Sequence, residues 1–184
     1  MSITGLILAG GQGSRMGGVD KGWVEFEGRS LVERLLPQLA AQVDSVMISA
    51  NRNLAQYAAL DVPVVEDLRS DYAGPLAGIE AGLAASTGDW LLTCPVDTLN
   101  LPGDYAARMQ AAAPAVATLA GRMQPVFMLI PKSALPALSA YLDAGERKVG
   151  KWAEQQGLRP VSFDDIPGAL SNLNDSQALQ QAQQ

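Results

Sequence analysis

The chain has 184 residues, enough for one domain with a full core and too few for two ordinary ones, and its 48% hydrophobic, 17% charged composition is globular. A net charge of −6 argues against nucleic-acid or anionic-membrane binding, so any anionic ligand must be held by backbone N–H groups, a few Lys or Arg side chains or a bridging cation. One cysteine, Cys94, and no histidine exclude a disulfide framework, a thiolate zinc cluster and imidazole catalysis within the chain, leaving carboxylates, Lys/Arg, backbone dipoles and a hard cation such as Mg²⁺.

In chain order, the start Met1-Ser2-Ile3-Thr4-Gly5 lacks the basic region of a secretory signal. Residues 3–9 read as a short buried strand that runs directly into glycines. Ser30 with Glu33 three residues on forms a capping-box pattern, and Leu31, Leu35, Leu36 and Leu39 give the following helix one apolar face. Strands are expected at 43–50 and 62–65, a helix at 76–85 after Pro75, and a strand at 90–94 running into Pro-Val-Asp. A helix at 102–112 follows, then strands at 115–120 and 126–130 joined by GRMQP. Helices at 134–142 and 148–156, a strand at 160–163 and an Ala/Gln-rich helix at 176–184 complete the chain. No repeat, linker or composition shift marks a boundary, so a single domain spanning 1–184 is expected. Apolar stretches are too short to span a bilayer, and the expectation is a soluble cytoplasmic protein. Trp23, Trp90 and Trp152, with Met47, Met109 and Met128, read as packing residues, and Cys94 as a small buried hydrophobe.

Strand–helix alternation in the first half argues for an α/β fold with a mostly parallel sheet covered on both faces. Ligands in such folds sit beyond the carboxyl ends of the strands. Four polar or Gly-rich segments fall there: 10–21, 49–52, 66–78 and 95–98. The first contains no Gly-Lys-Ser/Thr and so is not a Walker A loop. Gly11-Gln12-Gly13 starts a dinucleotide fingerprint, but the third glycine is misplaced and the loop is too long before the next helix. What remains is a glycine ribbon whose N–H groups can turn toward anionic oxygens, followed by Arg15, a phosphate fork, and Lys21, a compact charge. That chemistry suits a nucleoside triphosphate. A mobile glycine turn with two solvated cations is the plain alternative.

Leu8–Lys21, with its L-A-G-G-x-G-x-R-M-G-G-x-D-K pattern, resembles the signature of the nucleotidyltransferase superfamily, and M-G-G-V-D-K-G is closest to the molybdenum cofactor guanylyltransferases, the MobA family. SANR at 49–52, ED at 66–67, DYAGPLAGI at 71–79, CPVDT at 94–98, AGERKV at 144–149 and NLN at 172–174 extend the resemblance over essentially the whole chain. It implies a Rossmann-like, three-layer nucleotidyltransferase fold with a mixed, mostly parallel sheet. The implied activity is transfer of GMP from GTP to the terminal phosphate of molybdopterin, with Mg²⁺ as cofactor. Lys21, Asp97 and Arg15 would be catalytic, Asp97 also holding the metal. Nucleotide contacts would come from Leu8, Ala9, Gly10, Gly11, Gly13, Lys21, Ser49, Asn51, Asp67 and Asp97. Acceptor contacts would come from Gly74, Pro75, Leu76, Gly78, Arg147, Asn172 and Asn174. Implied partners are GTP and molybdopterin, with cofactor-delivery proteins or chaperones of target molybdoenzymes beside them, around a monomer. A molybdopterin cytidylyltransferase, another nucleotidyltransferase and a non-catalytic cofactor carrier are the competing readings.

Guanine presents two adjacent donors, N1–H and the N2 amino group, which the Asp67 carboxylate can accept together. Adenine has an acceptor at N1 and leaves the carboxylate unpaired. A solvated carboxylate at a strand end is the alternative. The chain departs from the family pattern at Ser49, where some relatives carry Asn. Gln124 stands where relatives often have His, and NDSQAL replaces N-T-P-E-x-L.

Overall fold

The structure is a computed structural model and describes residues 1–11, 20–70 and 73–173. Gly13, Arg15, Asn174 and the helix expected at 176–184 lie outside the described residues.

β1 (Ile3–Leu8) is the axis of the sheet. It pairs in parallel with β4 (Ser45–Ser49) on one side and β6 (Trp90–Pro95) on the other, and β5 (Val64–Val65) adds to β4, also in parallel. Beyond β6 the direction changes: β8 (Arg122–Pro131) is antiparallel to β6 and to β7 (Ala115–Leu119), and β9 (Arg159–Ser162) closes the edge parallel to β7. The order β5-β4-β1-β6-β8-β7-β9 is the mixed, mostly parallel sheet expected.

Period-two alternation along β1 sends Ile3 and Ile7 into one core and Leu6 into the other. The first core takes Val32, Leu35 and Leu39 of α1 (Leu31–Ala40) with Tyr105 and Met109 of α4 (Tyr105–Ala111). The second takes Ile79 and Leu83 of α3 (Pro75–Ala85), Leu138 and Leu142 of α5 (Leu135–Asp143), and Trp152 of α6 (Val149–Gln155). Three layers result. The capping box predicted at Ser30 and Glu33 is present with both reciprocal bonds.

α3 is apolar on nearly every face because it lies between the sheet and α5. Gly78 and Gly82, one turn apart, let it sit directly on β1 and β4: a methyl on Gly82 would stand 2.6 Å from Leu6 Cδ2 of β1, and one on Gly78 would overlap Ser49 Oγ of β4. Gly74 caps its start at φ 70°, a conformation costly to any residue with a Cβ. These glycines bring the N-terminus of α3 close over the ends of β1 and β4.

Several expectations are corrected. GRMQP is mostly strand, because β8 begins at Arg122 and the reversal is a tight turn with positive φ at Ala120 and Gly121. The strand expected at 62–65 shortens to Val64–Val65. The helix expected at 102–112 begins only at Tyr105. A two-residue hairpin, β2 (Glu25–Phe26) with β3 (Arg29–Ser30), and a one-turn helix, α2 (Leu54–Ala58), were not anticipated, both being too short to show periodicity. Among the described residues no helix is long and apolar enough to cross a membrane.

Candidate active site

The neighbouring parallel strands β5, β4, β1 and β6 end together, and the peptides just beyond them are tied to one another. Ala9 N donates to Ser49 O at 2.8 Å, Val96 N to Leu8 O at 3.0 Å, and Ala50 N to Val65 O at 3.0 Å. Above these ends lies a cavity of about 410 Å³ lined by Leu8, Ala9, Gly10, Gly11, Lys21, Ser49, Asp67, Gly74, Pro75, Gly78 and Asp97, with Pro95, Val96 and Val126. All four segments singled out in the sequence reach it.

Lys21 Nζ lies 3.0 Å from Asp97 Oδ2, although the two are 76 residues apart, and each side chain is largely shielded (29% and 12% exposed). Lys21 opens a single 3-10 turn, Lys21–Trp23, anchored by the buried Asp20. The Asp20 carboxylate accepts Gly22 N–H at 3.1 Å, the Tyr57 hydroxyl at 2.7 Å and Asn53 Nδ2 at 2.9 Å. Burial, with Asp20 beside it, raises the Tyr57 phenol well above its ordinary range, so the hydroxyl remains a donor. On the other side, Thr98 N and Oγ1 both bond to Pro95 O, at 3.1 and 2.7 Å, curling the chain so that Asp97 faces the cavity.

Asp67 enters from the end of β5. Burial raises its pKa, the hydrogen bond from Asn51 opposes this, and the charge of Glu80 adds to it. Asn51 itself stands behind Asp67: Nδ2 donates to Asp67 Oδ2 at 3.0 Å, and Oδ1 accepts Asp67 N–H at 2.9 Å. Ser49 is buried, its hydroxyl packed toward Gly10 and Gly78. Arg69, two residues further on, pairs with the buried Glu80 through two 2.7 Å bonds and with Asp143 through a third. Ser139 Oγ adds a bond to Glu80 at 2.7 Å.

The acceptor candidates divide. Gly74, Pro75 and Gly78 line the main cavity. The Leu76 side chain is fully buried in the second core. Asn172 joins Gln124 in a second cavity of about 420 Å³. That cavity is tied to the Asp97 loop by an antiparallel bridge from Asn172 to Thr98 and by Leu173 N donating to Asp97 O at 3.0 Å. Arg147 Nη1 donates to Leu142 O and Glu146 O, both at 2.8 Å, and so completes the end of α5. Burial pushes the Cys94 thiol up to about 12, consistent with a packing role.

Sequence reading missed Asp20, Asn53, Tyr57, Arg69 and Glu80. Only Asp20 carried a signal, as the residue before Lys21 in the matched pattern.

A cavity at the carboxyl ends of parallel strands, lined by Gly10 and Gly11, the Lys21 ammonium and the Asp97 carboxylate, belongs to the nucleotide-handling class of α/β folds. A family model described as the MobA-like NTP transferase domain matches residues 5–159. A molybdenum cofactor guanylyltransferase from Cupriavidus necator is 48% identical over 183 residues, covering 94% of this chain and 92% of that protein. One from Ralstonia nicotianae is 46% identical over 194 residues, covering 97% and 95%. Among solved structures, molybdopterin-guanine dinucleotide biosynthesis protein A from Archaeoglobus fulgidus aligns at TM-score 0.75 and 20% identity, covering 97% of this chain and 96% of that one. Rv0371C from Mycobacterium tuberculosis, described as a complex with manganese, aligns at 0.69 and 14%, covering 99% and 98%. The chain belongs to the MobA-like NTP transferase family.

Proposed function

We propose that this chain transfers the GMP unit of GTP to the terminal phosphate of molybdopterin, releasing pyrophosphate. The observation that carries the reading is the meeting of Lys21 and Asp97 at 3.0 Å in the cavity that Gly10, Gly11 and Asp67 also line.

An oxygen of the pterin phosphate attacks the α-phosphorus of GTP in line. The new P–O bond forms as the bond from the α-phosphorus to the β-bridging oxygen breaks, and pyrophosphate leaves with that electron pair. The attacking phosphate is already ionised, so no general base is required, in keeping with a chain that has no histidine. The protein's work is positioning and charge neutralisation. Lys21 places its ammonium against the phosphate oxygens, and Gly10 and Gly11 allow the backbone to approach them closely. Arg15 is assigned to the same phosphates. Asp67 reads the guanine edge.

Among the described residues no group of three or more Asp, Glu, His or Cys could enclose a metal ion. A single carboxylate, Asp97, suits an ion that draws its other ligands from the triphosphate and water, which is how Mg²⁺ is ordinarily held. Bound there, Mg²⁺ would neutralise charge developing on the phosphates. Gly74, Pro75 and Gly78, which line the cavity with Asp97, and Asn172 with Gln124, which line the second cavity, are assigned to the acceptor. Two cores on opposite faces of one sheet support a single domain, which we take to act as a cytoplasmic monomer. Pyrophosphate release is measured with Mg²⁺, molybdopterin and each NTP in turn. Release with GTP supports the reading, release with CTP alone overturns the guanine assignment, and tight pterin binding without release under any NTP indicates a carrier.

A further inference from the structure

We propose that Asn51 is a positioning residue for base selection: it locks the Asp67 carboxylate in the orientation that reads guanine without touching the base itself. The inference rests on the assignment of Asp67 to the guanine edge.

The carboxamide of Asn51 grips Asp67 at two points, the carboxylate through Nδ2 at 3.0 Å and the backbone N–H through Oδ1 at 2.9 Å. One planar group thus couples the side chain of Asp67 to its own main chain, which removes the freedom to rotate. Asp67 lines the nucleotide cavity and Asn51 is not among its lining residues. The amide is confined on its other side as well: a methyl on Gly10 would stand 3.1 Å from Asn51 Nδ2, so the clamp packs against the ribbon backbone. The spacing between the two residues is set by strand pairing, Ser49 lying opposite Val65.

Electrostatics make the clamp necessary. Burial and the charge of Glu80 both disfavour the ionised form of Asp67, and the Asn51 amide is the neighbour that favours it. Arg69 lies two residues away but directs its guanidinium to Glu80 and Asp143. Without Asn51, Asp67 either takes up a proton or swings away. In both cases the pair of acceptors facing N1–H and the N2 amino group is lost.

The test compares GTP with ITP, which lacks the N2 amino group and keeps N1–H. Equilibrium affinities are measured by calorimetry on the full chain, and KM and kcat by pyrophosphate release, for wild type, Asn51→Ala, Asp67→Ala and the double variant. Asn51→Ala is expected to lower the GTP-to-ITP affinity ratio by about tenfold, with the loss concentrated in the KM for GTP. The double variant is expected to discriminate no worse than Asp67→Ala alone, because Asn51 acts through Asp67. An unchanged ratio in Asn51→Ala beside a collapsed ratio in Asp67→Ala overturns the proposal, as do losses that add in the double variant. An unchanged ratio in Asp67→Ala overturns the guanine-edge assignment as well. Absence of turnover with any NTP in the wild type refutes the proposed reaction, while the calorimetric arm still decides the clamp. If Asn51→Ala melts early, Asn51→Ser, which keeps a short polar group, carries the same comparison.

Discussion

Gly22→Ala places a methyl group where the structure has none to spare. Built on the existing backbone, it would overlap Tyr57 Oη and stand 3.0 Å from Cζ and 3.2 Å from Cε1, where ordinary contact begins at 3.4 Å. Tyr57 has no direction in which to yield. It is fully buried, its ring lies 5.1 Å from that of Trp23, and its hydroxyl donates to Asp20 at 2.7 Å. The turn and the ring must therefore separate by roughly 1 Å, at an overpacking cost of about 1–3 kcal/mol. In a chain of this size that corresponds to a fall in Tm on the order of 2–10 °C. The same shift moves Lys21, the neighbouring residue, away from the place beside the phosphates proposed for it, and a displacement of about 1 Å can cost on the order of 10² in kcat. Thermal denaturation and pyrophosphate release at saturating GTP measure the two effects. Adding Tyr57→Phe in the same chain removes the overlapping oxygen and should restore part of the stability. A Gly22→Ala protein with wild-type Tm and kcat would show that the Asp20–Tyr57 anchor does not position Lys21.

Lys21→Ala should lower kcat by about 10²–10³ while leaving the fold intact by circular dichroism, as for the loss of other positioned charge donors; full turnover in a folded variant removes Lys21 from the mechanism. Because burial raises the Asp67 pKa, the carboxylate proposed to read guanine should be lost above the pH at which an ordinary Asp protonates, so the acid limb of kcat/KM for GTP is expected to lie higher than usual and to disappear in Asp67→Asn. Arg69→Met strands the buried Glu80, and the midpoint of thermal unfolding should drop by several degrees. Arg69 also holds the Glu80 pKa below the ordinary glutamate range, so this stabilisation is present at neutral pH and lost as pH falls through the lowered value; unfolding curves of the variant from neutral to acidic pH should show a weaker acid dependence than the wild type.

The meeting of Lys21 with Asp97 was expected from the family resemblance, whereas the order of the longer strands and helices and the glycine cluster were legible in the residues themselves. Each is written locally: a buried strand is a short apolar run, a capping box is two residues three apart, and a ribbon is a cluster of glycines. The shortest elements were not legible, since two residues of strand or one turn of helix carry no period. The supports of the site were hidden for another reason. Asp20 meets Asn53 and Tyr57 across 33 and 37 positions, and Arg69 meets Asp143 across 74. A carboxylate in the sequence does not announce whether its donors arrive from another loop, because hydrogen bonds of that range exist only once the sheet has brought the strand ends together. Residue types thus determined what chemistry is available to this chain, whereas the parallel pairing of β1 with β4 and β6 decided which of those residues line one cavity and which, like Asn51, bond to a lining residue from behind.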